Sequence, residues 1–241
     1  MDCFVYPPRD VLQLDSFAPS MTKPPQLPHF IAVEGNIGAG KTTFATQLAA
    51  DQNRRLILES FADNPFLPPF YEDPERFGLP VELFFMAERH KQLTAELARA
   101  DLFSNGIVAD YIFPKTLLFA RNSLSEEEFR LFSRIFKTMD AGFPDPDLIV
   151  YLHRPLEVLR TNIRNRGRSY EQDIQDDYLV SVDAAYQNYF KAQRESPVLL
   201  IHLGEADFVE DRAVYERILS ALSGATTPGL REINVADGAA Y

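Results

Sequence analysis

Apolar positions along this chain fall into short continuous runs, separated by stretches with helical spacing. Phe30-Ile31-Ala32-Val33 leads into a glycine-rich turn, and residues 43–50 then read as good helix. Further runs lie at residues 55–59, 106–110, 147–152 and 198–203, the first two ending in the carboxylates Glu59 and Asp110. Runs that are apolar on both faces suit parallel strands buried between helices. Residues 81–100 predict a strong helix, on which Glu82, Phe85, Met86 and Arg89 fall at i, i+3, i+4 and i+7 and share one face. Residues 117–119 open a helical hairpin through Ser125, a good N-cap followed by Glu126, Glu127 and Glu128. Another helix begins at Pro155, and a closing helix covers about residues 208–222. Strands alternating with helices predict an α/β fold, a five-stranded parallel sheet flanked by helices.

Outside these elements the pattern is irregular. Residues 1–28, with Pro7, Pro8, Pro19, Pro24, Pro25 and Pro28, predict a flexible or loosely docked arm. Met21 would serve as a start just before the domain, which is expected to run over residues 29–223. Residues 64–80 are Pro-rich and aromatic, an excursion at the C-terminal edge of the sheet of the kind that is usually functional. Residues 224–241 predict a loose tail, and no internal repeat is visible.

The glycine-rich turn is Gly35-Asn36-Ile37-Gly38-Ala39-Gly40-Lys41-Thr42, which fits G-x-x-x-x-G-K-[ST]. With a strand before it and a helix from Thr43 onward, this is a P-loop. Its backbone N–H groups would cradle phosphate, aided by the positive end of the helix. Lys41 would reach the β- and γ-phosphates, and the Thr42 hydroxyl would ligate Mg²⁺.

Composition narrows the partners. A hydrophobic fraction of 46% over 241 residues supports one domain with a real core. A net charge of −11 argues against a duplex-DNA binder. Cys3, the single cysteine, excludes a disulfide framework or a cysteine metal site and reads as an inert surface thiol. No apolar run approaches a membrane span and no signal peptide is visible, so a cytoplasmic setting is expected.

In a parallel sheet, ligands sit beyond the carboxyl ends of the strands. Glu59 and Asp110 are expected there beside the P-loop. One can act as base toward an attacking hydroxyl, and the other can hold Mg²⁺ or its waters. Arg164, Arg166 and Arg168 cluster around Gly167, where closure would bring guanidinium groups to the phosphates. His29, His90, His153 and His202 have no ligand spacing, so no metal role is assigned to them.

Taken together, these motifs resemble the deoxynucleoside kinase family, P-loop enzymes that phosphorylate the 5′-hydroxyl of deoxynucleosides with ATP. The resemblance runs from about His29 to the closing helix. It rests on the P-loop, Glu59-Ser60-Phe61, residues 71–77, residues 84–89 and residues 166–172. The wording is most similar to bacterial, purine-type members. The resemblance implies a P-loop kinase fold with an arginine-rich lid, a homodimer formed through helices flanking the sheet, and roles for particular residues. Glu59 matches the catalytic base, and Arg166 and Arg168 the lid arginines. Tyr71 and Glu171 match the pair on the sugar 3′-hydroxyl, Arg89 an arginine near the base edge, and Phe119 the aromatic stacked on the base. Asp110 joins Thr42 at Mg²⁺, and Asp207-Phe208 resembles the motif packed on the ATP adenine.

Departures from the family pattern bear on specificity and chemistry. Glu82 stands where many members carry a glutamine that pairs with the base. An ionised carboxylate only accepts, which suits the N1 and N2 hydrogens of guanine, whereas adenine would need Glu82 protonated. Arg89, on the same helical face, is expected to pair with Glu82 and keep it charged. At Asp110-Tyr111 the family often has an acid–Arg–Ser triplet. Lys115 is the residue that could supply the missing charge.

Other readings remain in view. A nucleoside monophosphate kinase would need extra cations in the acceptor pocket, where Glu59, Tyr71, Glu82 and Glu171 are expected instead. A non-catalytic nucleotide switch is disfavoured by the base and lid arginines, and no Asn-Lys-x-Asp guanine-reading motif is present.

Overall fold

The apolar runs are buried as strands of one parallel sheet. The computed structural model describes residues 27–59, 64–99, 103–140 and 142–235. The arm over residues 1–26 with Cys3 and Met21, the Ser60-Phe61 part of the Glu59 motif, and residues 236–241 of the tail lie outside the described residues. The strands are β1 (Phe30–Gly35), β2 (Arg55–Ile57), β3 (Ile107–Ala109), β4 (Leu148–His153), β5 (Pro197–His202) and β6 (Gly229–Asn234). Their order is β2-β3-β1-β4-β5-β6, with every neighbouring pair parallel.

Strand alternation divides the core. Ile31, Val33, Val150, Leu152, Leu199 and Ile201 point to one face, where helices α1 (Lys41–Asp51) and α8 (Arg212–Ser223) cover them. Ala32, Ile149, Tyr151, Val198 and Leu200 point to the other, against Tyr186 and Phe190 of α7 (Asp176–Ala192). Beside them α3 (Pro74–Leu97), α4 (Lys115–Ser123) and α5 (Glu126–Asp140) close a third cluster around Met86, Leu93, Phe132 and Phe136. The expected N-cap at Ser125 is a reciprocal capping box. The Glu128 N–H donates to Ser125 Oγ at 3.4 Å, and the Ser125 N–H donates to Glu128 Oε2 at 3.0 Å.

Some expectations are corrected. The sheet has six strands among the described residues rather than five, because residues 229–234 pair along the whole of β5 instead of forming a loose tail. With one neighbour among the described residues, β6 lies at the edge and needs no apolar run, and its Arg231, Glu232 and Asn234 are exposed. The Pro-rich stretch holds α2 (Leu67–Glu72) and the first turns of α3, which begins at Pro74 rather than residue 81. Pro74 suits the first helical position, and the Asp73 side chain accepts from the Arg76 N–H at 3.3 Å. Pro80 lies inside α3 and does not end it.

The strand order reverses at β1. Its connection leads outward to β2 and β3 on one side, and β4, β5 and β6 continue on the other. That reversal opens a crevice at the carboxyl edge of the sheet, where the P-loop sits. No helix among the described residues is long and apolar enough to cross a membrane.

Candidate active site

The loop after β1 is shaped by glycines that have no substitute. Gly38 has φ +83°, and a Cβ there would lie 2.7 Å from the Leu159 carbonyl oxygen. Side chains fasten the loop from three directions. Asn36 Nδ2 donates to the Leu179 carbonyl at 2.7 Å, Asn162 Nδ2 to that of Gly38 at 2.8 Å, and Arg154 Nε to that of Ala39 at 3.3 Å. Helix α1 starts at Lys41, so its N-terminus faces the loop. Lys41 Nζ donates to the carbonyls of Gly35 and Asn36, both at 2.9 Å. Burial, reinforced by the nearby Lys115 ammonium, lowers Lys41 to about 8.

Parallel pairing of β2 with β3 brings Glu59 and Asp110 together at the strand ends. Asp110 Oδ1 accepts the Glu59 N–H at 2.6 Å, and Oδ2 accepts the Thr42 hydroxyl at 2.7 Å. Glu59 is clamped by two cations. Its Oε1 lies 2.6 Å from Arg89 Nη2, and its Oε2 lies 2.6 Å from Lys115 Nζ. Burial alone would raise the Glu59 carboxyl, but Arg89 and Lys115 overcome it and hold it at about 2. Lys115, from the first turn of α4, therefore occupies the place beside this carboxylate that Asp110-Tyr111 left open.

Arg89 does not pair with Glu82 as their shared helical face suggested. Its guanidinium is taken by Glu59 and by Thr116 Oγ1 at 2.9 Å. Glu82, 3% exposed, accepts among the described residues only from Ser123 Oγ, at 3.2 Å. With its burial outweighing the Arg89 charge, Glu82 is raised to about 7 rather than kept ionised.

Helix α6 (Leu156–Arg166) ends at Gly167 with φ +70°, and a single 3₁₀ turn follows at Ser169–Glu171. Arg166 Nη2 pairs closely with Glu171 Oε2, and Arg168 Nη1 lies 3.2 Å from Glu171 Oε1. Arg164 is exposed, whereas Arg166 and Arg168 line both of the cavities that meet at Lys41, Thr42 and Glu59. One cavity is bounded by Tyr71, Glu82, Arg89, Phe119, Glu171 and Tyr178. The other runs along the P-loop residues Gly38, Gly40 and Thr43 to Asp207 and Phe208. Phe208 is mostly buried there, edge-on to Phe44 at 5.4 Å and against Gly40.

The oxygens of Thr42 and Asp110 suit a hard divalent cation. Among the described residues no group of three His, Cys, Asp or Glu could hold a metal. Mg²⁺ takes one or two protein oxygens and completes its shell with water and phosphate, so the pair fits that ion.

Sequence reasoning missed several neighbours of the site. Glu34 is fully buried at the end of β1, where Oε1 accepts the Ile112 N–H at 2.8 Å and Oε2 accepts the Tyr186 hydroxyl at 2.7 Å. Its signal was a carboxylate inside a wholly buried strand. Arg154 ties the P-loop to the carbonyls of Gly204 and Ala206 at 3.0 and 2.9 Å, and nothing in its local sequence marks that span.

A parallel sheet with its P-loop at the point where strand order reverses defines a P-loop nucleotide-handling protein. The sequence model of the family described as "Deoxynucleoside kinase" matches residues 31–225, and the chain belongs to that family. It is thus an enzyme that phosphorylates deoxynucleosides. Over 193 residues it is 34% identical to the deoxyguanosine kinase of Bacillus subtilis (strain 168), covering 78% of this chain and 93% of that one. It is 28% identical to the deoxyadenosine/deoxycytidine kinase of the same organism, over 80% of this chain and 91% of that one. Among solved structures, a deoxyadenosine kinase from M. mycoides with bound dATP superposes with a TM-score of 0.68. That likeness covers 79% of this chain and 99% of the other at 19% identity, and it speaks to the fold.

Proposed function

We propose that this chain transfers the γ-phosphate of ATP, with Mg²⁺, to the 5′-hydroxyl of purine deoxynucleosides. The observation that carries the reading is Glu59, an ionised carboxylate held where the P-loop cavity meets the cavity lined by Tyr71, Glu82 and Phe119. Glu59 orients the 5′-hydroxyl and accepts its proton. A weak base suffices, because phosphoryl transfer depends mainly on positioning and charge neutralisation. Lys41, Arg166 and Arg168 take up charge on the transferring group, the arginines exchanging Glu171 for phosphate. Thr42 and Asp110 would hold Mg²⁺, which when bound neutralises the β- and γ-phosphate oxygens. Tyr71 and Glu171 hold the sugar, and Phe119 and Arg89 flank the base.

The acceptor cavity supports a neutral substrate over a nucleotide. Arg89 and Lys115 are both engaged by Glu59, and Arg166 and Arg168 pair with Glu171. The kinase domain of this reading spans about residues 29–223, joined by β6. A homodimer belongs to the same reading, and light scattering on the purified chain tests it.

The purine preference is tested by kcat/KM for deoxyguanosine, deoxyadenosine, deoxycytidine and thymidine with ATP and Mg²⁺. Both purines are expected to exceed both pyrimidines, and a strong pyrimidine preference would overturn the assignment. The clamp on Glu59 has its own consequence. Lys115→Met removes a cation that lowers both Glu59 and Lys41. Both pKa values then rise, so the acidic and basic limbs of the kcat/KM profile both move to higher pH. Limbs that stay in place would show that Lys115 does not set these groups.

A further inference from the structure

Glu82 differs from the other carboxylates around the cleft in how little it does for the fold. Glu34, Glu59 and Asp110 each have both oxygens engaged by protein donors. Glu82 has one oxygen on Ser123, and its Oε2 is buried with no hydrogen-bond partner among the described residues. A buried polar atom left unpaired is costly, and this one belongs to a side chain that lines the acceptor cavity. An occupant of that cavity is placed to supply the missing partner.

The surroundings of Glu82 do not fix its charge. Arg89 faces it from two turns along α3, Glu59 from the end of β2, and Lys115 and Ser123 from α4. Tyr71 of α2 and Tyr178 of α7 complete the ring of titratable groups around it. The cations in this ring are already committed to Glu59. Burial consequently dominates and brings the carboxyl to about 7, where both forms are populated near neutral pH.

The two forms of this side chain recognise different bases. An ionised carboxylate only accepts, and guanine offers it the N1 and N2 hydrogens side by side. A protonated acid donates through one oxygen and accepts through the other. Adenine matches that pattern, with a hydrogen on N6 and an acceptor at N1 or N7. The wrong pairing leaves a lone pair facing a lone pair or a donor facing a donor, which a buried site rejects strongly.

Building on the purine-deoxynucleoside reading above, we propose that Glu82 is a protonation-dependent selector between the purines, taking guanine when ionised and adenine when protonated. The proton is exchanged with solvent and takes no part in phosphoryl transfer. Every other titrating group, Glu59 and Lys41 included, acts on both substrates and cancels in the ratio of their kcat/KM values. What remains is the ratio of ionised to protonated Glu82, which rises about tenfold per pH unit whatever its midpoint.

The experiment measures kcat/KM for deoxyguanosine and deoxyadenosine at intervals from about pH 6 to about pH 8, with the full-length chain, ATP and Mg²⁺. The deoxyguanosine-to-deoxyadenosine ratio is expected to climb about tenfold per pH unit. In Glu82→Gln, whose amide always donates and accepts, the ratio should be flat and shifted toward deoxyadenosine. Two active purine substrates with a pH-independent ratio in the unaltered enzyme would overturn the selector while leaving the purine reading intact. A slope that survives in Glu82→Gln would also overturn it. If neither purine were phosphorylated at any pH, the purine reading itself would fall and the selector with it.

Discussion

Replacing Glu59 by glutamine is expected to lower kcat for deoxynucleoside phosphorylation by about 10²- to 10⁴-fold, the range for loss of a positioned general base. The amide keeps the shape of the side chain but can neither take the 5′-hydroxyl proton nor balance its neighbours. Arg89 and Lys115, both almost fully buried, lie 2.6 Å from the carboxylate they would lose. Breaking a buried pair by removing one partner costs about 3–5 kcal/mol, so a lower melting temperature accompanies the loss. ATP affinity separates the two effects. The P-loop backbone is fastened by Asn36, Asn162 and Arg154 rather than by the Glu59 side chain, so nucleotide binding by the folded variant should stay near that of the parent. A folded Glu59→Gln enzyme with an unchanged kcat would remove Glu59 from the chemistry.

The second large effect is expected at Lys41. Lys41→Met should reduce kcat by about 10²- to 10³-fold, comparable to losing one preorganised donor to a developing negative charge. Its stability should change little by contrast. The ammonium is held down to about 8 by burial and the Lys115 charge, so it costs free energy to keep protonated in place. What the fold loses is its pair of 2.9 Å hydrogen bonds to the Gly35 and Asn36 carbonyls. Steady-state kinetics beside thermal unfolding check the split. A kcat within about threefold of the parent would mean that phosphate charge is met elsewhere, with Arg166 and Arg168 the first candidates.

Most of this architecture could be read from the chain, for a physical reason. Strands buried on both faces must be apolar throughout, so β1, β4 and β5 announce themselves, and the P-loop follows β1 with its own signature. What escaped was structure held by one neighbour or by a cap. Among the described residues strand β6 pairs only with β5, and it carries exposed polar residues. The start of α3 depends on Asp73 and Pro74 and was obscured by the prolines around it.

The site divides in the same way. Helical spacing correctly grouped Glu82 with Arg89, but spacing does not reveal what enters from other elements. Glu59 arrives from β2 and takes the Arg89 guanidinium, and Glu82 is left with Ser123. Lys115 could be suspected from a gap in the motif at Asp110-Tyr111. Its 2.6 Å contact with Glu59 depends on how α4 packs, and local sequence does not encode that.

The most direct test of the proposed chemistry is to identify the product formed from ATP, Mg²⁺ and either deoxyguanosine or its 5′-monophosphate, by phosphorus NMR with stoichiometric ADP measurement. Glu59 at the junction of the two cavities predicts deoxyguanosine 5′-monophosphate and ADP in equal amounts, with no turnover of the monophosphate. Formation of a diphosphate from the monophosphate, or phosphate on any position but the 5′-oxygen, would contradict it.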